Sequence, residues 1–174
     1  MVVRESLRPV LQQCYRFGGH VTGLRDDQGR LVDGVRLLWA LAGIESDYGR
    51  LAEFARHEPA YMPRGRYYTQ SIEQRQAWAR WGITAACSFG AWQVMAATAR
   101  EMGYDGPPHG LIDHETCCRV ATALITRRFV IAHGVTTLRD VFDAYNSGNA
   151  RDGVVPSAYI TKGLAAYGLE LPTL

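Results

Sequence analysis

Three short stretches of the chain hold residue types that can do chemistry. The first is Glu45, which follows Val35, Leu37, Leu38, Trp39, Leu41, Ala42 and Ile44 and precedes Ser46-Asp47-Tyr48-Gly49, a helix end. A carboxyl pressed against apolar side chains loses hydration of its charged form, so its pKa rises and it can hold a proton near neutrality for a leaving oxygen. The other reading, a carboxyl emerging into water at a helix terminus, stands beside it on spacing alone. The second stretch runs from Cys87 to Arg100. Gly90 permits a tight turn or a close backbone approach, for instance to a ligand, Trp92 and Met95 supply adaptable apolar surface, and Gln93 offers an amide that both donates and accepts. It reads equally as a helix start packed into the core. The third is Ala144-Tyr145-Asn146-Ser147-Gly148, where Asn146 or Gly148 supplies a left-handed cap and the tyrosine hydroxyl sits at the helix end, as a ligand contact or as the polar tip of a packed ring.

The elements that must position these residues read as helices. Asp33 is placed to cap a helix that is apolar nearly all round and therefore buried on most sides. Asp113 caps a second, from His114 to Ile131, with Cys117, Val120, Ala121, Leu124, Ile125 and Phe129 at helical steps. Leu138, Val141, Phe142 and Tyr145 form a third stripe, and Tyr159, Ile160, Gly163, Leu164 and Tyr167 a fourth after Pro156. Alternating strand patterns are scarce, so the chain is expected to be mainly α with little or no β-sheet. Two polar stretches interrupt the pattern. One is Arg25-Asp26-Asp27-Gln28-Gly29-Arg30; the other runs from Glu58 to Gln76 and carries Pro59, Pro63, Gly65, Tyr61, Tyr67 and Tyr68.

Composition bounds the function. The 174 residues suit one compact domain or one domain with a small appendage, and 47% apolar and 21% charged residues exclude wholesale disorder. A net charge of +2 is too mild to argue for nucleic acid, and arginines such as Arg64, Arg66, Arg127 and Arg128 suit anionic cell wall or a solvated surface as well. No apolar run approaches the roughly 18 residues of a membrane span, and no secretory signal is evident after Met1–Arg8. Cys14, Cys87, Cys117 and Cys118 lack structural-zinc spacing and read as buried small residues. None of His20, His57, His109, His114 and His133 forms an HxxxH or HExxH pair, so neither a metal nor any other cofactor is expected.

In chain order the motifs resemble those of the family-1 soluble lytic transglycosylases, closest in feel to phage-encoded members. The family's Glu-Ser pair ending a buried helix stands here as Glu45-Ser46. Its Ser-x-Gly-Leu-Met-Gln segment with a following Thr-Ala stands as Ser88-Phe89-Gly90-Ala91-Trp92-Gln93 with Thr98-Ala99, and its Ala-Tyr-Asn-x-Gly as Ala144 to Gly148. Leu111-Ile112-Asp113-His114-Glu115-Thr116 is similar to the family's Leu-x-Asp-Pro-Glu-Thr helix start, and Tyr159 to Tyr167 to its closing helix. The resemblance covers residues 34–168. It implies a lysozyme-like helical domain with a cleft over residues 34–174 and leaves the N-terminal segment, 1–33, unassigned; that segment is expected to pack on the domain, with service to a partner as the alternative. Ala91-Trp92 in place of Leu-Met is expected to reshape the groove floor. The long connection from Glu45 to Ser88 contains Phe54-Ala55-Arg56-His57-Glu58-Pro59-Ala60-Tyr61, similar to an Arg-x-Glu-Pro segment of phage-encoded relatives.

The resemblance implies cleavage of the β-1,4 bond from N-acetylmuramic acid to N-acetylglucosamine in peptidoglycan. Glu45 would be acid and then base, giving a 1,6-anhydro product. Ser46, Ser88, Gly90, Gln93, Met95, Tyr145, Asn146 and Tyr159 would bind the glycan or orient the acid. A second carboxylate is Glu58 rather than Asp47, which points away if the helix continues; a salt bridge from Glu58 to Arg56 or another arginine is the preferred reading over direct chemistry. The expected partner is the glycan strand, met by a monomer at the cell wall, in the periplasm, outside the cell or from a virion. Three rivals differ in class: a goose-type muramidase that delivers water, a non-catalytic glycan-binding or virion structural protein, and a metal-dependent peptidase or amidase.

Overall fold

The computed structural model describes residues 3–51, 55–148, 150 and 157–174. Phe54 and Pro156 lie outside the described residues. The chain is mainly helical. Helix α1 is Arg8–Gly18 and α2 Gly34–Ser46; α3, Arg66–Gln70, and α4, Ile72–Trp81, follow, then α5, Ala96–Glu101, α6, His114–Ala123, α7, Leu138–Ser147, and α8, Ser157–Gly168. Three very short strands, β1 Arg56–His57, β2 Cys87–Phe89 and β3 Val94–Met95, make one antiparallel sheet in that order.

Helix α2 is the central element. The Asp33 carboxylate accepts from Val35 N–H (2.9 Å) and Arg36 N–H (3.3 Å), satisfying two amides that a helix start leaves free. Leu37, Leu38, Ala40, Leu41 and Ala42 are fully buried, because α1 packs on one side of the helix and α8 on another. The expectation of burial nearly all round is met. The helix stops abruptly: Asp47 and Tyr48 both take left-handed backbone, φ 51° and 58°, which costs an L-residue roughly 1–2 kcal/mol each. The Tyr48 N–H to Ala42 O bond (2.9 Å) and the stack of Tyr48 on Trp39, ring centroids 4.3 Å apart, hold that turn.

The N-terminal segment shares this core. Val10, Leu11 and Cys14 of α1 are buried in the same cluster as α2 and α6, and Val3 N–H bonds Thr173 O (3.1 Å), tying the two ends of the chain together. All four cysteines are buried thiols. The Asp26 carboxylate organises the first polar stretch by accepting from Gln28 and Arg30 N–H.

Two elements depart from the sequence expectation. The helix capped by Asp113 does not run as a single α-helix to Ile131; from Leu124 to Ala132 it widens into a π-helix. That widening puts Leu124 and Phe129, five residues apart, beside each other on the cleft wall. The polar stretch from Glu58 folds into a 3-10 turn (Pro59–Tyr61), α3 and α4. It is anchored by the fully buried Gln74, whose amide donates to Tyr61 O (2.7 Å) and Ala85 O (3.1 Å).

Candidate active site

One cleft of about 500 Å³ collects most of the expected residues. Its floor is the small sheet. Arg56 pairs with Ser88 and Ser88 with Met95, so these three occupy one row across the strands and share a face, as the pleat requires. All three line the cleft. The β2–β3 connection turns on Gly90 (φ 76°) and Gln93 (φ 46°), closed by the Gln93 N–H to Gly90 O bond (3.1 Å). The Ser88 hydroxyl donates to Gln93 Oε1 (2.9 Å), and Gln93 Nε2 donates to Gly90 O (2.9 Å), so the amide plane is set before any ligand arrives.

Glu45 opens onto this floor from the last turn of α2. Its side chain is only 7% exposed. Oε1 accepts from the Tyr159 hydroxyl of α8 at 2.5 Å, and Oε2 lies 3.7 Å from Arg56 Nη1. Burial raises the Glu45 pKa above its ordinary value; the Tyr159 hydrogen bond and the Arg56 charge oppose that rise, and the Glu58 charge adds to it. The solvent-exposed reading of Glu45 is therefore excluded. Burial and the same carboxyl push the Tyr159 and Tyr145 phenols up, so both act as hydroxyl donors at any working pH.

Tyr145 and Asn146, in the last turn of α7, form another side of the cleft, and the helix ends on Gly148 (φ 84°). The Tyr145 hydroxyl donates to Trp92 O (2.8 Å) while Trp92 Nε1 donates to Leu38 O (2.9 Å). These two bonds lock α7, the β-turn and α2 in sequence around the acid. Tyr145 thus faces the cleft with its ring and the protein with its hydroxyl.

Several expectations need correction. Gly90 does not face a ligand: a Cβ there would collide with Leu111 O and approach Cys117 Sγ to 2.6 Å, so its close approach is to the protein interior. Cys87 to Met95 is a hairpin rather than a helix start, and the helix begins only at Ala96. Trp92 is fully buried and, like Ala91, lines no part of the cleft. Ser46 is buried too. Its hydroxyl donates to Ala91 O (2.6 Å) and accepts from Gly49 N–H (2.8 Å), so it pins the end of α2 to the hairpin and lines no part of the cleft. Asp47 leaves the helix and pairs with Arg50 (3.0 Å).

Glu58 lines the cleft and accepts from Arg56 Nε at 2.7 Å, the preferred salt bridge. Sequence reasoning missed the wall beyond it. Tyr61 and Tyr67 stack at 4.7 Å, Tyr67 donates to Ser147 O (3.3 Å), and Arg128 pairs with Glu101 at 2.5 Å. These residues, with Glu73, Leu124 and Phe129, complete the cleft. The tyrosine-rich composition of residues 58–76 was the available signal; nothing in the sequence marked the π-helix that carries Leu124 and Phe129.

No protein-family model, curated protein or solved structure matches the chain. What the fold and the site define is a mainly α protein with a protonatable carboxyl, Glu45, buried at the floor of a cleft and surrounded by hydroxyl and amide groups and by Arg56. Among the described residues no cluster of three metal-ligating side chains occurs, and no helix is long and apolar enough to cross a membrane.

Proposed function

We propose that the chain is a peptidoglycan lytic transglycosylase that uses Glu45 alone as general acid and base. The observation that carries this reading is the Glu45 carboxyl itself, buried at the cleft floor with its pKa raised and its orientation fixed by Tyr159. The ordered motif resemblance supplies the substrate class, and a cleft of about 500 Å³ is a size that receives a short run of sugar rings.

The steps balance with one carboxyl. Protonated Glu45 gives its proton to the glycosidic oxygen as the bond from muramic C1 breaks, and the N-acetylglucosamine leaves with a hydroxyl at C4. The cation at C1, supported by the neighbouring N-acetyl group, is captured by the C6 hydroxyl of the same sugar. Glu45, now a carboxylate, takes the proton from that hydroxyl as the O6–C1 bond closes, and is ready again. Most glycosidases flank the bond with two carboxylates. One suffices here because the nucleophile belongs to the substrate and its orientation replaces a bound water. The site of action is the cell wall, reached from a virion, after lysis or by export.

A second reading, hydrolysis of the same bond, draws on Glu58, a further carboxylate facing the cleft. Digestion of purified peptidoglycan followed by mass analysis tests both. Anhydro ends, lighter by one water than reducing ends, are expected. Reducing ends alone identify a muramidase, and binding without soluble fragments identifies a glycan-binding protein.

A further inference from the structure

We infer that Arg56 is the charge partner of the acid and that Glu58 is a tether holding it at partial strength, so that one guanidinium shared between two carboxylates sets the acidity of Glu45. This rests on the reading of Glu45 as the working acid and assigns Glu58 a part in it other than chemistry on water.

The geometry is specific. Arg56 spends its Nε on Glu58 Oε1 at 2.7 Å, a charge-assisted hydrogen bond, and reaches Glu45 Oε2 only with Nη1 at 3.7 Å. The second contact is an ion pair too long to be a hydrogen bond. The backbone enforces this division. Arg56 is held in register opposite Ser88, and Glu58 N–H bonds Ala86 O (2.8 Å), continuing the extended chain past β1. In extended backbone residues i and i+2 point to the same face, so Arg56 and Glu58 meet side by side above the floor. A helix with the same two residues would have turned them apart.

An acid that must also act as a base needs both protonation states within reach at one pH. A full bidentate pair with arginine would keep Glu45 ionised and useless as a donor. Burial with no cation would keep it protonated and leave the carboxylate formed in the reaction without support. The tethered arginine avoids both. Among the described residues, the groups that face Glu45 are the Tyr159 hydroxyl from α8, Tyr145 from α7, and Arg56 and Glu58 from the strand segment; the Arg56 and Glu58 charges are opposite in sign and opposite in effect on the carboxyl.

The test is a carbon-13 NMR titration of the glutamate carboxyls in the full chain, with Glu45→Gln to assign the signal, alongside clearance of purified peptidoglycan as a function of pH. Glu58→Gln is expected to lower the Glu45 pKa by roughly one pH unit, because Arg56 is released toward it and a like charge is removed. Arg56→Gln is expected to raise it by about as much. The alkaline limb of the clearance profile should follow each shift, and Glu58→Gln should still clear peptidoglycan at its displaced optimum. Arg56→Lys, which keeps the charge as a compact ammonium unable to span two carboxylates, should fall between parent and Arg56→Gln. If both neutral variants leave the Glu45 titration in place, or move it the same way, the shared-arginine assignment is wrong. If Glu58→Gln abolishes clearance at every pH with the titration unmoved, Glu58 is a base in its own right and the tether is overturned. If the titrations shift as expected but the parent releases no fragments, the tether stands and the transglycosylase reading falls.

Discussion

The two sides of the cleft are built on different principles. Around Glu45, the end of α2, the hairpin turn and α7 are locked by buried bonds: Ser46 to Ala91, Tyr145 to Trp92, Trp92 to Leu38. Those groups are spent on one another and are hidden from solvent. Across the cleft, the 3-10 turn, α3 and α4 offer stacked tyrosines, a glutamate and a glutamine, and are anchored mainly by Gln74 beneath. One side is cross-linked by hydrogen bonds between distant segments, which suits the proposed task of desolvating and aiming a carboxyl. The other keeps polar and aromatic side chains on the cleft wall, as the proposed binding of a solvated glycan would require. The contrast teaches that a residue conspicuous for chemistry in the sequence can belong to the frame, as Ser46 and Gly90 do, while the receiving surface is made of residues that look like loop.

The sharpest break of this comparison is at the acid. Glu45→Gln is expected to lower clearance of peptidoglycan by about a thousandfold, the scale of a lost general acid and base. The same variant should melt higher than the parent at pH 7. The folded pKa of Glu45 lies above its ordinary 4.5, so the native state holds a proton that the unfolded chain has released; Glu45 therefore costs stability as the pH rises past 4.5, and the advantage of glutamine should vanish below it. Thermal melts of both proteins across that range check the sign.

The frame comes next. Trp92→Ala removes a fully buried ring and its bond to Leu38 O, and should cost about 3–5 kcal/mol in denaturant unfolding. If the comparison holds, its activity per folded molecule falls as well, because the hairpin turn that accepts from Tyr145 loses its indole bond to α2.

The receiving side should behave in the opposite way. Tyr61→Ala takes one ring of a half-buried stack on the cleft wall and is expected to raise KM for soluble glycan fragments about tenfold, an aromatic contact's worth of binding, with kcat changing far less. Equal losses of stability and turnover would show that this wall is frame too.

The smallest expected effect is a displacement of pH dependence. Tyr159→Phe deletes the hydrogen bond that favours ionised Glu45, so the Glu45 pKa rises further, the alkaline limb of the rate profile moves up, and stability falls more steeply with rising pH. A profile that moves down instead would mean that Tyr159 does not donate to this carboxyl.

How much of this was legible depends on the range of the forces involved. The cap at Asp33, the stop after Ser46 and the stripes of α7, α8 and α6 as far as Ala123 are local: they follow from hydrogen bonds a few residues apart and from a 3.6-residue period, and they appear in the structure where the periodicity puts them, whereas the π-helix from Leu124 does not follow from that period. The sheet was not legible. Strands of two or three residues are too short to display alternation, and they exist because β1, β2 and β3 complete one another's hydrogen bonds across thirty residues of chain. Nor was the direction of Gly90, Ser46 or Trp92, since each is decided by what packs against it.

By itself, then, the order of residues determined a mainly helical chain and a carboxyl, Glu45, at the end of an apolar helix, and it supplied the motif resemblance on which the proposed chemistry rests. Only the tertiary structure decided that this carboxyl is buried, that Tyr159 from 114 residues away donates to it, and that Arg56 is divided between it and Glu58. Helix periods and caps are set by neighbours along the chain. Acidity is set by the dielectric and charges within a few ångströms in space, and these are supplied by whichever distant segments the fold brings there.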